Sequence, residues 1–106
     1  MVIAGKSLAS GDLPTSQAAI YTAPVGTTAY VKGIRTKNTT GLTALVELWV
    51  KESGGTARSI GTWTGRTLEF CLWVTGDAIV LEPGDAIEAV SDRAGVDYVI
   101  SGGEEA

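Results

Sequence analysis

Residues Ile20–Asn38, IYTAPVGTTAYVKGIRTKN, contain the pattern that decides the fold. An apolar strand start runs into a Pro-Val-Gly turn, and a second strand follows it and leads into an Asn-Thr-Thr-Gly turn. In that second strand the alternation of apolar and polar residues slips between Val31 and Ile34, which cannot share one face at a period of two. Gly33 lies in the slip, so we expect a β-bulge there.

The same pattern of short β-rich runs and Gly or Pro turns continues towards the C-terminus. Two alternating stripes are expected to face a core: Ala44, Val46, Leu48 and Val50 in one strand, and Leu68, Phe70, Leu72 and Val74 in another. Glu82–Asp85 fits a type II turn, with Pro second and Gly third. About eight strands at 8–12-residue spacing predict an all-β fold, a single antiparallel β-sandwich or jelly-roll-like domain.

The chain length and composition indicate one domain. At 106 residues with 44% hydrophobic content there is room for one core. Residues 1–15 are small and polar and contain helix- and strand-breaking Gly and Pro, so we expect an extended N-terminal arm ahead of a β-sandwich domain over residues 16–106. The last five residues, Gly102–Ala106, are expected to form a mobile acidic tail.

The charge pattern argues against nucleic-acid and membrane partners. The net charge is −4, so no positive surplus is available to release counterions from phosphates. Lys32, Arg35 and Lys37 are interpreted as a solvated strand edge, which lysines often protect. No segment reaches the ~20 apolar residues of a transmembrane helix. No secretory signal pattern is visible, so synthesis in a host cytoplasm is expected.

The residue types do not favour catalysis. The chain has no histidine, which removes the commonest general base and metal ligand and every Ser-His or Cys-His dyad. Five carboxylates lie between residues 77 and 92 without EF-hand spacing, and a structural or solvated role is favoured for them: Asp77, Glu82, Asp85, Glu88 and Asp92. Cys71 lies in an apolar run and is expected to pack as a small hydrophobe. We therefore expect no enzyme activity, no cofactor and no metal.

The three tryptophans are large for so small a domain. Trp49 and Trp73 lie opposite aliphatic stripes, so either both faces of a sheet are partly covered or an aromatic patch is exposed at a subunit interface. Carbohydrate stacking on the same side chains is a third option. The candidate interface residues are Leu8, Leu13, Leu45, Trp49, Trp63 and Trp73.

The order of the motifs resembles small virion proteins of tailed bacteriophages. Those chains open with a pattern like Ile20–Pro24 followed by Thr27–Asn38, and close with one like Val80–Ile87 followed by Val96–Gly102. The resemblance covers about residues 16–105. It implies a β-sandwich or jelly-roll module with a structural role and no catalytic residues.

The resemblance also implies partners and a location. Decoration (cement) proteins of this kind sit on the outer capsid surface, are often homotrimers, and reinforce contacts between units of the major capsid protein. The leading hypothesis is such a capsid decoration protein in the virion, with the arm and one aromatic sheet face contacting neighbours. The alternative is a tail or tail-fibre-associated module that binds a host receptor or glycan.

Overall fold

A computed structural model describes the backbone of residues 4–106 and the side chains of residues 7–73 and 78–106. Its eight strands are β1 (Ala4–Asp12), β2 (Ala18–Thr22), β3 (Thr28–Asn38), β4 (Ala44–Lys51), β5 (Ala57–Gly65), β6 (Phe70–Leu81), β7 (Ala86–Ser91) and β8 (Val96–Glu105). They form two four-stranded antiparallel sheets, which confirms the predicted sandwich. Sheet A has the order β1-β8-β3-β6 and sheet B the order β2-β7-β4-β5.

This order is that of a jelly roll. β1 pairs with β8, β2 with β7, β3 with β6 and β4 with β5, so the chain forms a nested set of antiparallel pairs that is rolled into two sheets. The pairs β3/β8 and β4/β7 join these ribbons side by side. Double-sheet jelly rolls of eight strands consist of two Greek keys in the same way.

The core lies between the two sheets and follows the period-two pattern of the strands. In β4 the predicted stripe is confirmed, because Ala44, Val46 and Leu48 are fully buried and Val50 is partly buried against the core, while Leu45 is 48% exposed. Fully burying a Val or Leu side chain contributes about 1.5–3 kcal/mol to folding. The core residues outside β4 are Leu13, Ala23, Ala29, Val31, Ile34, Leu81, Ile87, Ala89, Val96, Tyr98 and Ile100.

The predicted bulge in β3 is confirmed. The register of β3 against both β6 and β8 shifts between Val31 and Gly33, leaving Lys32 unpaired. The extra residue allows Val31 and Ile34 to point into the core together, and both are 1% exposed. The type II turn at Glu82–Asp85 is also confirmed, since Asp85 N–H donates to the Glu82 carbonyl and Gly84 has φ of 89°.

The stripe predicted at Leu68–Val74 is wrong, and the strand faces the other way. Phe70 and Leu72 are 55% and 59% exposed, and Leu68 lies in a turn with φ of 65°. Residues paired across a sheet point to the same side, and buried Ile34 and Thr36 of β3 pair with Trp73 and Cys71. Trp73 and Cys71 therefore point inward. The side chain of Val74 lies outside the described residues.

Two predicted strands are one in the structure. The runs before and after the expected Thr75–Asp77 turn both belong to β6. Pairing with β3 is interrupted between Val74 and Ile79 and then resumes, so the turn-forming sequence marks an irregularity inside a long strand. The total still reaches eight strands because β1 was not expected.

The first strand comes from the segment predicted to be a separate arm. Backbone pairing with β8 makes Ala4–Asp12 an edge strand of sheet A, and Leu13 next to it is 3% exposed. Residues 1–3 of the predicted arm lie outside the described residues. Because β1 and Leu13 belong to the sandwich, residue 15 does not separate an arm from the domain.

The predicted mobile tail is instead the end of β8. Gly102 and Gly103 pair with Val31 and Tyr30 of β3, and Glu104 pairs with Ala29. A Cβ atom added at Gly102 would overlap the carbonyl oxygen of Tyr30. Gly102 therefore allows β8 to lie close to β3, where a bulkier residue would be excluded.

A buried asparagine fixes the turn after β3. Asn38 is fully buried, and its amide donates to the carbonyl oxygens of Leu42 at 2.7 Å and Gly65 at 3.0 Å. Its side-chain oxygen accepts from the backbone N–H of Thr40 at 2.9 Å and from the Thr40 hydroxyl at 2.7 Å. This is the side-chain hydrogen bonding that makes Asn frequent in turns. It connects the turn to the end of β5.

Candidate interaction surfaces

The structure does not bring the predicted interface residues together on one surface. Leu13 is in the core, and Leu8, Trp63 and Trp73 are partly buried against it. Leu45 and Trp49 share the outer face of sheet B, where Leu45 is about half exposed and Trp49 is half-buried.

Trp73 connects the two sheets at one end of the sandwich. Its indole N–H donates to the hydroxyl of buried Thr36 at 3.1 Å. Its ring lies over Gly61 of β5, where an added Cβ would be 2.6 Å from Trp73 Cζ3. The expectation that Trp73 lies on an outer face opposite a core stripe is therefore wrong, since the indole fills the space between β6 and β5.

The outer face of sheet A presents an apolar and basic surface. We call Arg35, Lys37, Phe70, Leu72 and Val99 the apolar–basic face. Strand register places these residues side by side, because Arg35 pairs with both Leu72 and Val99, and Lys37 pairs with Phe70. The Arg35 guanidinium lies over the Phe70 ring, 4.7 Å from its centre, as a cation–π contact. Leu72 and Val99 are 59% and 42% exposed.

Sequence analysis missed this face for two reasons. Phe70 and Leu72 were assigned to the core, and the basic residues were assigned to a strand edge. β3 is instead an interior strand, between β8 and β6, so its basic side chains project from the middle of the sheet. A period-two pattern identifies the two sides of a strand but not which side is buried when both are apolar.

Two carboxylates lie beside the apolar–basic face. Asp12 of β1 and Asp97 of β8 are directly opposite in the register, and Asp97 also pairs with Lys37. A hydrogen bond with Asp12 raises the pKa of Asp97, with burial and the negative charge of Asp12 acting in the same direction and Lys37 opposing them. The pair therefore places two carboxylates together where the edge strand β1 meets β8.

A cleft of about 250 Å³ opens between the sheets at their β5 and β6 ends. We call it the β5–β6 cleft. Its lining residues are Val31, Lys32, Gly33, Ile34, Ile60, Trp73 and Ile79. The cleft coincides with irregular pairing, since Lys32 is the bulged residue of β3 and Ile60 is an extra residue of β5 between the partners of Leu48 and Trp49. It was not predicted from the sequence.

Three carboxylates of residues 77–92 accept hydrogen bonds at separate places, and one of them, Glu88 in β7, accepts from the Gln17 side chain at 2.8 Å. Asp85 accepts backbone N–H groups from Ser53 at 2.9 Å and Glu82 at 3.0 Å. Asp92 accepts the N–H of Leu45 at 2.9 Å. These bonds support the structural interpretation. Within the described part of the chain no group of three or more His, Cys, Asp or Glu residues could bind a metal ion. The side chain of Asp77 lies outside it.

Cys71 points inward from β6 and is half-buried. Burial raises the pKa of its thiol, which favours the protonated form. This agrees with a packing role. The described residues also include no helix long and apolar enough to cross a membrane.

No protein-family model matches this chain, and no curated protein matches it either. The function is therefore inferred from the fold, the exposed surfaces and the order of the turn motifs.

Proposed function

We propose that this protein is a capsid decoration protein of a tailed bacteriophage, which binds the outer shell and reinforces contacts between capsomers. The observation that supports this most directly is the apolar–basic face, where Phe70 and Leu72 are more than half exposed beside two cations. A contiguous patch of exposed apolar residues is typical of a surface that binds another protein.

The fold is compatible with this role but does not determine it. Jelly rolls occur in viral capsid domains, and also in lectins and cupins. Function must therefore come from a surface and not from the topology. The motif order that resembles small phage virion proteins, from the Pro24 turn to the end of β8, favours a virion role among these.

The charge distribution suggests what the face would contact. The chain has a net charge of −4, yet Arg35 and Lys37 lie on this face among apolar side chains. An apolar surface with an acidic rim on the major capsid protein would be complementary to it. The remaining acidic surface would disfavour contact with the packaged genome.

Assembly would increase the strength of such a contact. A protein that binds the assembled shell better than free subunits stabilises the shell by mass action. A homotrimer would present three copies of the apolar–basic face, and simultaneous attachment multiplies modest affinities. We therefore propose a symmetric oligomer, a homotrimer, as the binding form.

Co-sedimentation with capsids that lack the protein tests the proposal. Leu72→Glu introduces a charge into the centre of the apolar–basic face, and we expect capsid binding to fall at least about tenfold. Val25→Glu is the matched control, because Val25 is 97% exposed in the turn after β2 and lies outside the face. Equal binding of Leu72→Glu and the parent would contradict the assigned surface.

A second candidate is a tail or tail-fibre module that binds a host receptor or glycan. Half-buried Trp49 lies on the outer face of sheet B between Ser59 of β5 and Glu88 of β7. An aromatic side chain with polar groups beside it is suited to stack on a sugar ring. Trp49→Ala should then abolish binding to host polysaccharide, while Leu45→Ala on the same face should not.

A further inference from the structure

The β5–β6 cleft is both concave and apolar. Three large side chains line it from two sheets: Ile60 from β5, and Trp73 and Ile79 from β6. Ile60 is 40% exposed, so the cleft is open to solvent on the β5 side. Trp73 is fixed by its hydrogen bond to Thr36, which gives the cleft a rigid wall.

The size of the cleft limits what can fill it. At about 250 Å³ it is smaller than the roughly 300–1,000 Å³ of typical small-molecule sites. One large aliphatic or aromatic side chain fills a volume of this order. The cleft is therefore suited to a single apolar side chain presented by a polypeptide.

The strands around the cleft provide a way to bind the backbone of that polypeptide. In the described registers β5 pairs only with β4, and β6 only with β3, so the cleft lies between the end strands of both sheets. An extended peptide can add to such an edge through backbone hydrogen bonds, with a neighbouring pocket receiving one of its alternate side chains.

The charge at the cleft favours an acidic partner. Among the described residues that line the cleft, Lys32 is the one that carries a charge, and it is the bulged residue of β3. Acidic residues beside the anchoring side chain would be attracted to this region, and basic residues would be repelled.

We propose that the β5–β6 cleft is a peptide-docking site that receives one large apolar side chain from an extended, acidic segment of a partner protein. The site is separate from the apolar–basic face, and it does not depend on the capsid role.

Isothermal titration with capped synthetic peptides tests the proposal on the intact protein. The probe is Asp-Thr-Val-Leu-Val-Thr-Asp, in which Leu is the anchor and the flanking residues favour an extended conformation. We expect a dissociation constant below about 1 mM. Replacing Leu by Ala should weaken binding about tenfold or more, and replacing both Asp by Lys should weaken it in a salt-dependent way.

Two protein variants locate the site. Ile60→Trp fills the mouth of the cleft and should abolish peptide binding, whereas Leu45→Trp, on the outer face of sheet B, should not. Lys32→Glu is a second test that leaves the apolar lining intact, and it should reverse the preference between the Asp and Lys peptides. Backbone amide shifts in NMR spectra should change around Ile60 and Trp73.

Several results would overturn the proposal. Absence of peptide binding at millimolar concentration would do so, as would equal binding by Ile60→Trp and the parent. Amide shifts confined to β1 and β2 would place the peptide at the opposite edges. Self-association that disappears in Ile60→Trp would show that a second copy of this chain fills the cleft.

Discussion

Gly102→Ala is the substitution that most sharply probes the end of β8. The structure places Gly102 opposite Val31 in the strand pairing, and an added Cβ would overlap the carbonyl oxygen of Tyr30 and lie 3.1 Å from the Cα of Val31. Both obstacles are backbone atoms of β3, which cannot rotate away as a side chain could. The methyl group therefore forces β8 and β3 apart.

The expected cost follows from that geometry. Overpacking usually costs about 1–3 kcal/mol, and a rigid backbone obstacle places Gly102→Ala at the upper end, about 3 kcal/mol. This is a large part of the ~5–15 kcal/mol that stabilises a typical domain. For a domain of about this size it corresponds to a fall in Tm of roughly 10–20 °C.

Urea and thermal unfolding measure the effect against a matched control. Gly41 lies in the turn after β3, and no described atom is within 4 Å of a Cβ added there. Gly41→Ala should therefore leave Tm nearly unchanged. If the two variants melt at the same temperature as the parent, Gly102–Glu105 is a loose tail and the assigned end of β8 is wrong.

Four further substitutions test the core and the surfaces by thermal unfolding. Asn38→Ala removes four hydrogen bonds from a buried site and should cost about 2–4 kcal/mol; a loss below about 0.5 kcal/mol would contradict the role of that amide. Leu72→Ala should leave the free energy of unfolding nearly unchanged because the Leu72 side chain is on the outer face, whereas Leu48→Ala should lower it by about 2–5 kcal/mol. Equal losses of stability in the two variants would contradict the assigned orientation of β6. Asp97 has a raised folded pKa, so its contribution to stability is present below its ordinary value of 3.8 and is lost as pH rises through the folded value. Asp97→Asn should therefore gain stability relative to the parent as pH rises above 3.8, and a pH-independent difference would contradict the contact with Asp12.

The parts of the fold that sequence predicted correctly have one apolar face and distinct turn residues. β4 alternates Ala, Val and Leu with larger or polar residues, so only one orientation buries an apolar stripe. The slip around Gly33 and the turn at Glu82–Asp85 follow from steric preferences of Gly and Pro. Each of these features depends on residues that are close together in the chain, so their polarity pattern and backbone preferences are enough to predict it.

The errors arose where long-range pairing decides the outcome. In β6 both faces are apolar, with Phe70 and Leu72 on one and Cys71 and Trp73 on the other, so only the register with β3 shows which is buried. β1 has no apolar stripe and is a strand because β8 provides a backbone partner. The end of β8 is likewise a strand because it pairs with β1 and β3. Glycine is required at position 102 because the backbone of β3 lies close to it, and not because the chain must be flexible there.

For the candidate surfaces, too, the sequence predicted what lies within one strand and missed what several strands form together. The sequence placed Leu45 and Trp49 on one face, since they lie an even number of positions apart in a regular strand. It could not identify the apolar–basic face or the β5–β6 cleft, because each combines residues from strands that are distant in the chain. Arg35 and Phe70, which form the cation–π contact, meet only through the pairing of β3 with β6.

We propose that this chain is part of the outer shell of a phage, and cryo-electron microscopy of phage particles assembled with this chain tests that proposal most directly. We predict density for an eight-stranded jelly roll on the outside of the shell, at a symmetric position between capsomers, with Phe70 and Leu72 facing the major capsid protein. Density for this domain only in the tail, or a particle from which the chain is absent, would contradict it.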